Sequence, residues 1–498
     1  MTPRPRASRL TVVTAVLLAL AVAVLLAMLA RDFLVPALVA ERRSPAPAET
    51  SSSTPVTTTA SPTPGGPSAS SSPASPSSSP TPSGSATAAP AEGPAAAQLR
   101  AAIVQALAGA PGTAHVSVRD AATGRPLVDV AADTPVPPAS ALKVLTAAAV
   151  LETLGPERTL VTRTVVLPGV DGSGAEVVLV GGGDSLLGVG ASDPSAVSGR
   201  AGLGTLAAQT VEHLAAAGVE GPVRVSVDTR LLPGTGRNPA WPEDLYTAGY
   251  IAPVHALATY GARPVRGIAD DRVEDPAAFA AAAFRSALAD RAEAAGLTVA
   301  DGPVLTTAAP RLVVGATASA AEVESAPVAE QVQFLLAHSD NQVAETLARV
   351  AAVESGREAG PAGVADLLGA TAETLGADRE DLVAADASGL APADRMSAAA
   401  LTQVLAAAAE QPRTAGLAAS LPAPGTDSTL RERLVGTPAQ GRVRAKTGTL
   451  MGTVSLTGTV RPASGGELVF SVVLDGIDGE VAAARRSADQ VAAALAGL

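Results

Sequence analysis

An uncharged, mostly apolar run extends from Leu10 to Ala30, preceded by Arg4, Arg6 and Arg9 and followed by Arg31. At 1.5 Å per residue such a run reaches about 30 Å as a helix, enough to cross a bilayer. A cleaved leader usually has a shorter apolar region and a small-x-small site, neither of which is clear here. The pattern therefore predicts an uncleaved transmembrane signal-anchor at 10–30, with residues 1–9 cytoplasmic and the rest exported; cleavage would instead yield a secreted protein. Residues 44–95 lose all hydrophobic periodicity and are almost entirely Ser, Thr, Pro, Ala and Gly, a composition that cannot bury enough surface to fold and reads as a disordered linker.

From Gln98 the pattern becomes that of a folded α/β chain. Gln98 to Leu107 has helical spacing, and Ala114 to Val118 with Leu127 to Val130 predicts a β-hairpin around a turn at Asp120 to Pro126. After Pro137-Pro138, Ser140 to Leu154 reads as a helix with Ser140 in its first turn. Residues 165–324 mix Val-rich strands (Val177 to Val180, Val223 to Val227, Leu312 to Val314) with Ala-rich helices. Gly181-Gly182-Gly183-Asp184 lacks the GKS/GKT ending of a phosphate loop and reads as a tight turn. Phe334 to Ala337 ends one helix and Gln342 to Val350 begins another, with Ser339-Asp340-Asn341 as the loop between them. Arg442 to Lys446, Thr453 to Val460 and Leu468 to Leu474 read as strands, and a helix runs from Gly479. That order predicts helices packed on an antiparallel sheet.

Composition narrows the chemistry. The 498 residues are 47% apolar, enough for a substantial core, and the net charge of −12 without a basic cluster argues against a nucleic-acid partner. With no cysteine, disulfides and thiolate chemistry are excluded. His115, His213, His255 and His338 stand far apart and form no HExxH pair, and the expected roles are surface or packing. Only Lys143 and Lys446 are lysine and only Asn238 and Asn341 are asparagine, in a chain otherwise biased to arginine and alanine.

Both lysines and one asparagine fall inside three short patterns: Ser140-Ala141-Leu142-Lys143, Ser339-Asp340-Asn341 and Lys446-Thr447-Gly448-Thr449. Singly each is weak; together they make a coincidence that chance does not readily supply. On a helix, positions three apart share a face, so the Lys143 amine can reach the Ser140 hydroxyl. To act as a base the amine must lose its proton near neutral pH, which burial and a second cation such as Lys446 would favour and which arginine cannot do. Ser339 can relay a proton, Asn341 can hold a lysine and a substrate amide, and Thr447, Gly448 and Thr449 can present hydroxyls and open backbone to a carboxylate. The backbone N–H groups of Ser140 and Thr449 can form an oxyanion hole.

These patterns resemble the SxxK, SxN and KTG signatures of the penicillin-binding protein and serine β-lactamase superfamily. The stretches Ser339 to Leu347, Asp386-Ala387-Ser388-Gly389-Leu390, Gly425 to Arg431 and Gly441 to Leu450 are similar to the D-alanyl-D-alanine carboxypeptidase/endopeptidase family, peptidase family S13. The resemblance implies an α/β (α+β) fold: a transpeptidase-like antiparallel sheet flanked by helices (96–164 and 325–498), split by an inserted α/β domain (165–324). It also implies acylation of Ser140 by peptidoglycan stem peptides ending in D-Ala-D-Ala, with Lys143, Ser339, Asn341 and Lys446 catalytic and Thr447, Gly448 and Thr449 binding substrate. β-Lactams would be covalent inhibitors, and no metal or organic cofactor is implied. Two alternatives are a serine β-lactamase, disfavoured because no asparagine lies between Asn341 and Lys446, and a non-catalytic cell-wall-binding protein of the same fold. Ala387 departs from the family pattern, where glycine is usual, and the insert is shorter than expected. Trp241, Tyr246, Tyr250 and Tyr260 either rim the cleft or pack the insert.

Overall fold

The structure, a computed structural model, describes residues 94–169, 174–267, 271–301 and 319–498. The expected anchor at 10–30, the linker up to residue 93 and the strand expected at Leu312 to Val314 lie outside the described residues. Among the described residues no helix is long and apolar enough to cross a membrane.

Helix α1 (Pro94–Ala106) leads into the hairpin of β1 (Thr113–Asp120) and β2 (Pro126–Val130), and a 3-10 turn, Ala139–Leu142, runs into α2 (Lys143–Leu154). Next come β3 (Val161–Pro168), β4 (Ala175–Val180), β5 (Asp184–Leu187), α3 (Leu203–Ala216), β6 (Pro222–Asp228), α4 (Glu243–Thr247), β7 (Leu257–Thr259), α5 (Pro276–Ala292), β8 (Thr298–Val299) and β9 (Ala321–Glu324). The chain continues through α6 (Val328–His338), α7 (Asn341–Glu354), α8 (Pro361–Thr374), the short β10 (Leu382–Val383) and β11 (Arg395–Met396), α9 (Ala398–Ala408) and α10 (Leu417–Ser420). It closes with β12 (Val443–Leu450), β13 (Thr453–Val460), β14 (Leu468–Asp475) and α11 (Val481–Gly497).

Five strands form an antiparallel sheet in the order β12-β13-β14-β1-β2. Alternation along β14 explains its layers, because successive side chains of a strand point to opposite faces. Leu468, Phe470, Val472 and Leu474 pack with Ile103 of α1 and Val491 and Leu495 of α11. Val469 and Val473 instead join the large cluster of the helical layer, where α9 lies on β1 and β14. Between them Ser471 bonds Thr457 at 2.8 Å, and Ser117 bonds Thr402 at 2.9 Å, so the buried hydroxyls on this face are satisfied pairwise. Helix α2 is buried along nearly its whole length, with only Glu152 and Thr153 reaching toward solvent, and α6, α7, α8 and α9 all pack against it; a helix so largely apolar is stable only when enclosed.

A second sheet, β8-β6-β4-β3-β9, is mixed: β4 with β6 and β6 with β8 are parallel, while β3 pairs antiparallel with β4 and β9. Helices α3 and α5 cover it through Leu203, Leu206, Phe284 and Leu288. Its first strand begins at Val161, upstream of the boundary at 165 read from the sequence. The glycine tract is a close backbone crossing: a Cβ on Gly182 would stand 1.9 Å from the Val161 carbonyl oxygen and one on Gly181 2.6 Å from that of Ala256. A phosphate loop plays no part in it.

Phe470 is fully buried where the sheet meets α1 and α11. Phe470→Ala is expected to destabilise the protein by about 3–5 kcal/mol, through lost transfer energy and the cavity left behind, as measured by urea unfolding.

Candidate active site

The 3-10 turn places Ser140 at the mouth of α2 and Lys143 at its first helical residue. Lys143 is fully buried, and its Nζ donates to Ser140 Oγ (3.0 Å), Asn341 Oδ1 (2.7 Å) and the Ser388 carbonyl (2.6 Å). Three acceptors match the three N–H groups of an ammonium. As a free amine the same group keeps two N–H donors and turns its lone pair to the Ser140 hydroxyl, so deprotonation needs no rearrangement.

The second motif is a hinge between helices. Ser339 ends α6 with φ 55°, in the left-handed region that a non-glycine residue rarely adopts. Asp340 then caps α7, its Oδ1 accepting from the Val343 N–H at 3.1 Å. The strained turn aims Ser339 Oγ at Lys446, whose Nζ donates to it at 2.8 Å and to the Thr447 carbonyl at 2.6 Å. Asn341 donates its amide N–H to the Tyr250 carbonyl at 3.0 Å, which fixes its oxygen on Lys143.

The third motif lies within β12, which runs on to Leu450 beyond the end expected at Lys446. β12 is an edge strand, and the Ala445 N–H already points outward, to the Pro422 carbonyl. Alternation turns the N–H groups of Thr447 and Thr449 the same way, to the open edge. Gly448 faces the serine turn, where a Cβ would lie 3.0 Å from the Ser140 nitrogen and 2.1 Å from Ser455 Oγ. Only glycine allows this approach. Thr447 Oγ1 donates to Thr429 Oγ1 (2.9 Å), and Arg485 Nη2 donates to Thr449 Oγ1 (3.1 Å).

Burial pushes the Lys143 amine down to about 8, against the pull of the Asp386, Glu345 and Asp340 carboxylates and with help from Arg272. Lys446 is driven well below the usual lysine range by burial, then by Lys143 and Arg433. For Asp340 burial works upward, but Arg272 and Arg263 overcome it and hold the carboxyl down at about 2.

The sequence singled out Asp386 to Leu390 without a role for its residues; the structure gives them one. Asp386 Oδ1 accepts from the Ser388 and Gly389 N–H groups at 2.9 and 2.7 Å. Its Oδ2 accepts from Leu390 N–H (3.0 Å), Ala391 N–H (2.8 Å) and Trp241 Nε1 (2.7 Å). The loop is wound around one carboxylate, and the winding presents the Ser388 carbonyl to Lys143. An aspartate followed by Ser-Gly is a legible side-chain turn signal, so this loop could have been found. Trp241 is buried in the main core with Tyr246 edge-on to it at 5.9 Å, so these two pack rather than rim the cleft. Tyr260 donates no rim either: its hydroxyl accepts from the Val189 N–H at 3.2 Å. Tyr250 alone of the four is exposed. Of the histidines, His115 bonds the Ala131 carbonyl (2.9 Å) and His338 packs on Phe334 (4.6 Å between rings).

Two further acids back this loop. Glu345 is raised to about 7 by burial and then by Asp386, and accepts from the Ala387 N–H at 2.8 Å. Asp394 is raised to about 10 by burial and then by Asp386, so it is protonated at neutral pH. A carboxyl raised in the folded state binds more protons there than unfolded: its stability is fully present below the ordinary carboxylate range and is lost as pH climbs toward about 10. Asp394→Asn removes that loss, so the melting temperature of the variant relative to wild type is expected to climb between about pH 5 and about pH 9. A difference constant with pH would show that Asp394 is not a buried neutral acid.

The chain matches the D-Ala-D-Ala carboxypeptidase 3 (S13) family over residues 97–265 and 266–496. Carboxypeptidase DacB of Mycolicibacterium smegmatis is 33% identical over 364 residues, 72% of this chain and 75% of that one. A D-alanyl-D-alanine carboxypeptidase from an Actinomadura species is 34% identical over 241 residues, 46% of this chain and 40% of its own. Penicillin-binding protein 4 (dacB) from Haemophilus influenzae shares the fold, with a TM-score of 0.64 at 20% identity over 78% of this chain and 97% of that one. A match running from the first helix to the last, on a fold that brings three separated motifs to one cleft, shows that this chain is a peptidase of the D-Ala-D-Ala carboxypeptidase family S13.

Proposed function

We propose that Ser140 is the nucleophile of a serine D-Ala-D-Ala carboxypeptidase/endopeptidase acting on peptidoglycan stem peptides. The observation that carries this is the Lys143 amine, buried, 3.0 Å from Ser140 Oγ and lowered to about 8, so that roughly one molecule in ten holds it as a free base at pH 7. Ser140 Oγ attacks the carbonyl of the penultimate D-alanine and its proton passes to Lys143. The backbone N–H groups of Ser140 and Thr449 receive the developing oxyanion. Ser339, bonded to Lys446, gives its hydroxyl proton to the departing amine and takes in its place the proton held by Lys143, and the C–N bond breaks to release D-alanine and leave an ester on Ser140. Water then hydrolyses the ester. Asn341 orients Lys143 and the substrate amide; Lys446, Thr447, Gly448 and Thr449 line the side that takes the terminal carboxylate.

Residues 96–164 and 325–498 serve as the catalytic body in this reading, with 165–324 inserted. Substrate in the wall requires the body outside the cytoplasmic membrane, which the run at 10–30 and the linker at 44–95 would provide as anchor and tether. β-Lactams, which offer a strained amide and a carboxylate, would acylate Ser140; the Haemophilus influenzae protein has been crystallised in complex with a β-lactam.

A fluorescent penicillin is expected to label the protein covalently and a pentapeptide stem to yield free D-alanine, both lost in Ser140→Ala. Lys143→Arg keeps the charge but cannot release a proton, and is expected to slow acylation by about 100-fold or more. Labelling of Ser140→Ala would exclude Ser140 as the nucleophile.

A further inference from the structure

Residues 165–324 contain none of the three motifs, yet two of their side chains reach the second one. Arg263 Nη1 lies 2.7 Å from Asp340 Oδ2 and Arg272 Nη2 lies 3.6 Å from Asp340 Oδ1. The side chains are enclosed, with 13% of Arg263 and 4% each of Arg272 and Asp340 exposed. Surface ion pairs contribute little, but a pair out of water holds its geometry and is costly to break on one side.

The arginines are themselves held by an unusual turn. Tyr260, Gly261 and Ala262 have φ of 50°, 71° and 61°, three successive left-handed residues. A non-glycine residue there costs about 1–3 kcal/mol and persists only where its surroundings enforce it. Tyr260 N–H donates to the Leu187 carbonyl (3.1 Å) and Gly261 N–H to that of Ser185 (2.7 Å), so β5 anchors the turn. Its carbonyls face the cations: Arg263 Nη1 donates to Tyr260 O (3.3 Å), and Arg272 Nη1 donates to Gly261 O. A Cβ on Gly261 would stand 2.7 Å from Arg263 Nη1 and 3.1 Å from Asp340 Oδ2. Arg272 Nε also holds the carbonyl of Gly249, next to the Tyr250 carbonyl that fixes Asn341.

A cap alone does not call for this, since serine or asparagine caps a helix as well as aspartate. We propose that Arg263 and Arg272 are positioning residues: they clamp Asp340, keep its neighbours Ser339 and Asn341 on the two lysines, and set the Arg272 cation against a second positive charge at Lys143. The groups facing Lys143 divide accordingly. Asp386 and Glu345 favour its ammonium, as does Asp340; Arg272 opposes it, and Lys446 stands across the cleft with Ser339. Behind them Arg349 pulls Glu345 down, while Asp386 and Glu345 push Asp394 up. This inference rests on the reading of Lys143 as the base.

The test is the second-order rate of acylation by a chromogenic penicillin from about pH 5.5 to about pH 9.5 in the full chain. Arg272→Gln is expected to move the acid limb upward and to lower the plateau about tenfold, with Arg272→Lys restoring the limb. Asp340→Asn keeps the cap, loses the clamp, and is expected to move the limb downward while the plateau also falls. A plateau that falls with the limb fixed means a merely structural role and overturns the inference. If Arg272→Gln fails to fold by circular dichroism, Asp340→Asn decides, and a limb that stays or rises overturns it. A wild-type profile without an acid limb sinks the base reading and this inference with it; a limb present but unmoved sinks the inference alone.

Discussion

Two amines are fully buried at one cleft, and the rest of the structure is arranged around the cost of keeping them there. An ammonium withdrawn from water loses several kcal/mol of hydration even after relaxation, and a second one beside it raises the cost. Lys143 recovers part of this through three acceptors from three separate segments, and Lys446 through two. The remainder is expressed as a lowered proton affinity in both. The instability of the charged form is therefore what a proton-accepting lysine requires.

Each acceptor has a scaffold suited to hold it. Asn341 is aimed by Tyr250, and its helix begins at a capped aspartate; the Ser388 carbonyl is aimed by a loop wrapped on Asp386. The serine turn is pinned from below: Ser455 Oγ on β13 donates to the Pro138 carbonyl at 2.8 Å, and Gly389 approaches so closely that a Cβ would stand 2.0 Å from the Ala139 carbonyl oxygen. Sheet, central helix and loop thus converge on four residues, Ala139 to Leu142. A shift in any one of them would be felt at the Ser140 hydroxyl.

What the sequence disclosed follows from range. The serine and lysine of the first motif are one helical turn apart, and the hairpin, the terminal strands and the last helix are periodic patterns; local rules suffice for these. The two lysines stood out because nothing else in the chain is lysine. Arg263 and Arg272 did not, being two arginines among many, with a shared partner that lies 77 positions along the chain from Arg263. The same holds for Trp241, whose aromatic bulk fitted a cleft rim and a packing role equally, and whose indole N–H is taken by the buried Asp386 carboxylate. The mixed pairing of the second sheet is equally non-local, since strand direction is decided by crossovers and not by residue pattern.

The open edge of β12 has a consequence of its own. An unpaired strand edge is a template for any extended chain, including a neighbouring copy of the protein, and folded proteins guard such edges against aggregation. Here the first half is guarded: the Ala445 N–H is taken by Pro422, and Arg442 and Arg444 stand exposed along it, with Arg444 reaching back to the Ala419 and Leu421 carbonyls. In the second half the side chains of Lys446 and Thr447 are buried, and among the described residues only the outward N–H groups of Thr447 and Thr449 are left without a backbone partner. Charge and a covering loop thus limit the open edge to the few residues beside Ser140, so a free strand edge is kept without the whole strand being offered to a neighbouring chain.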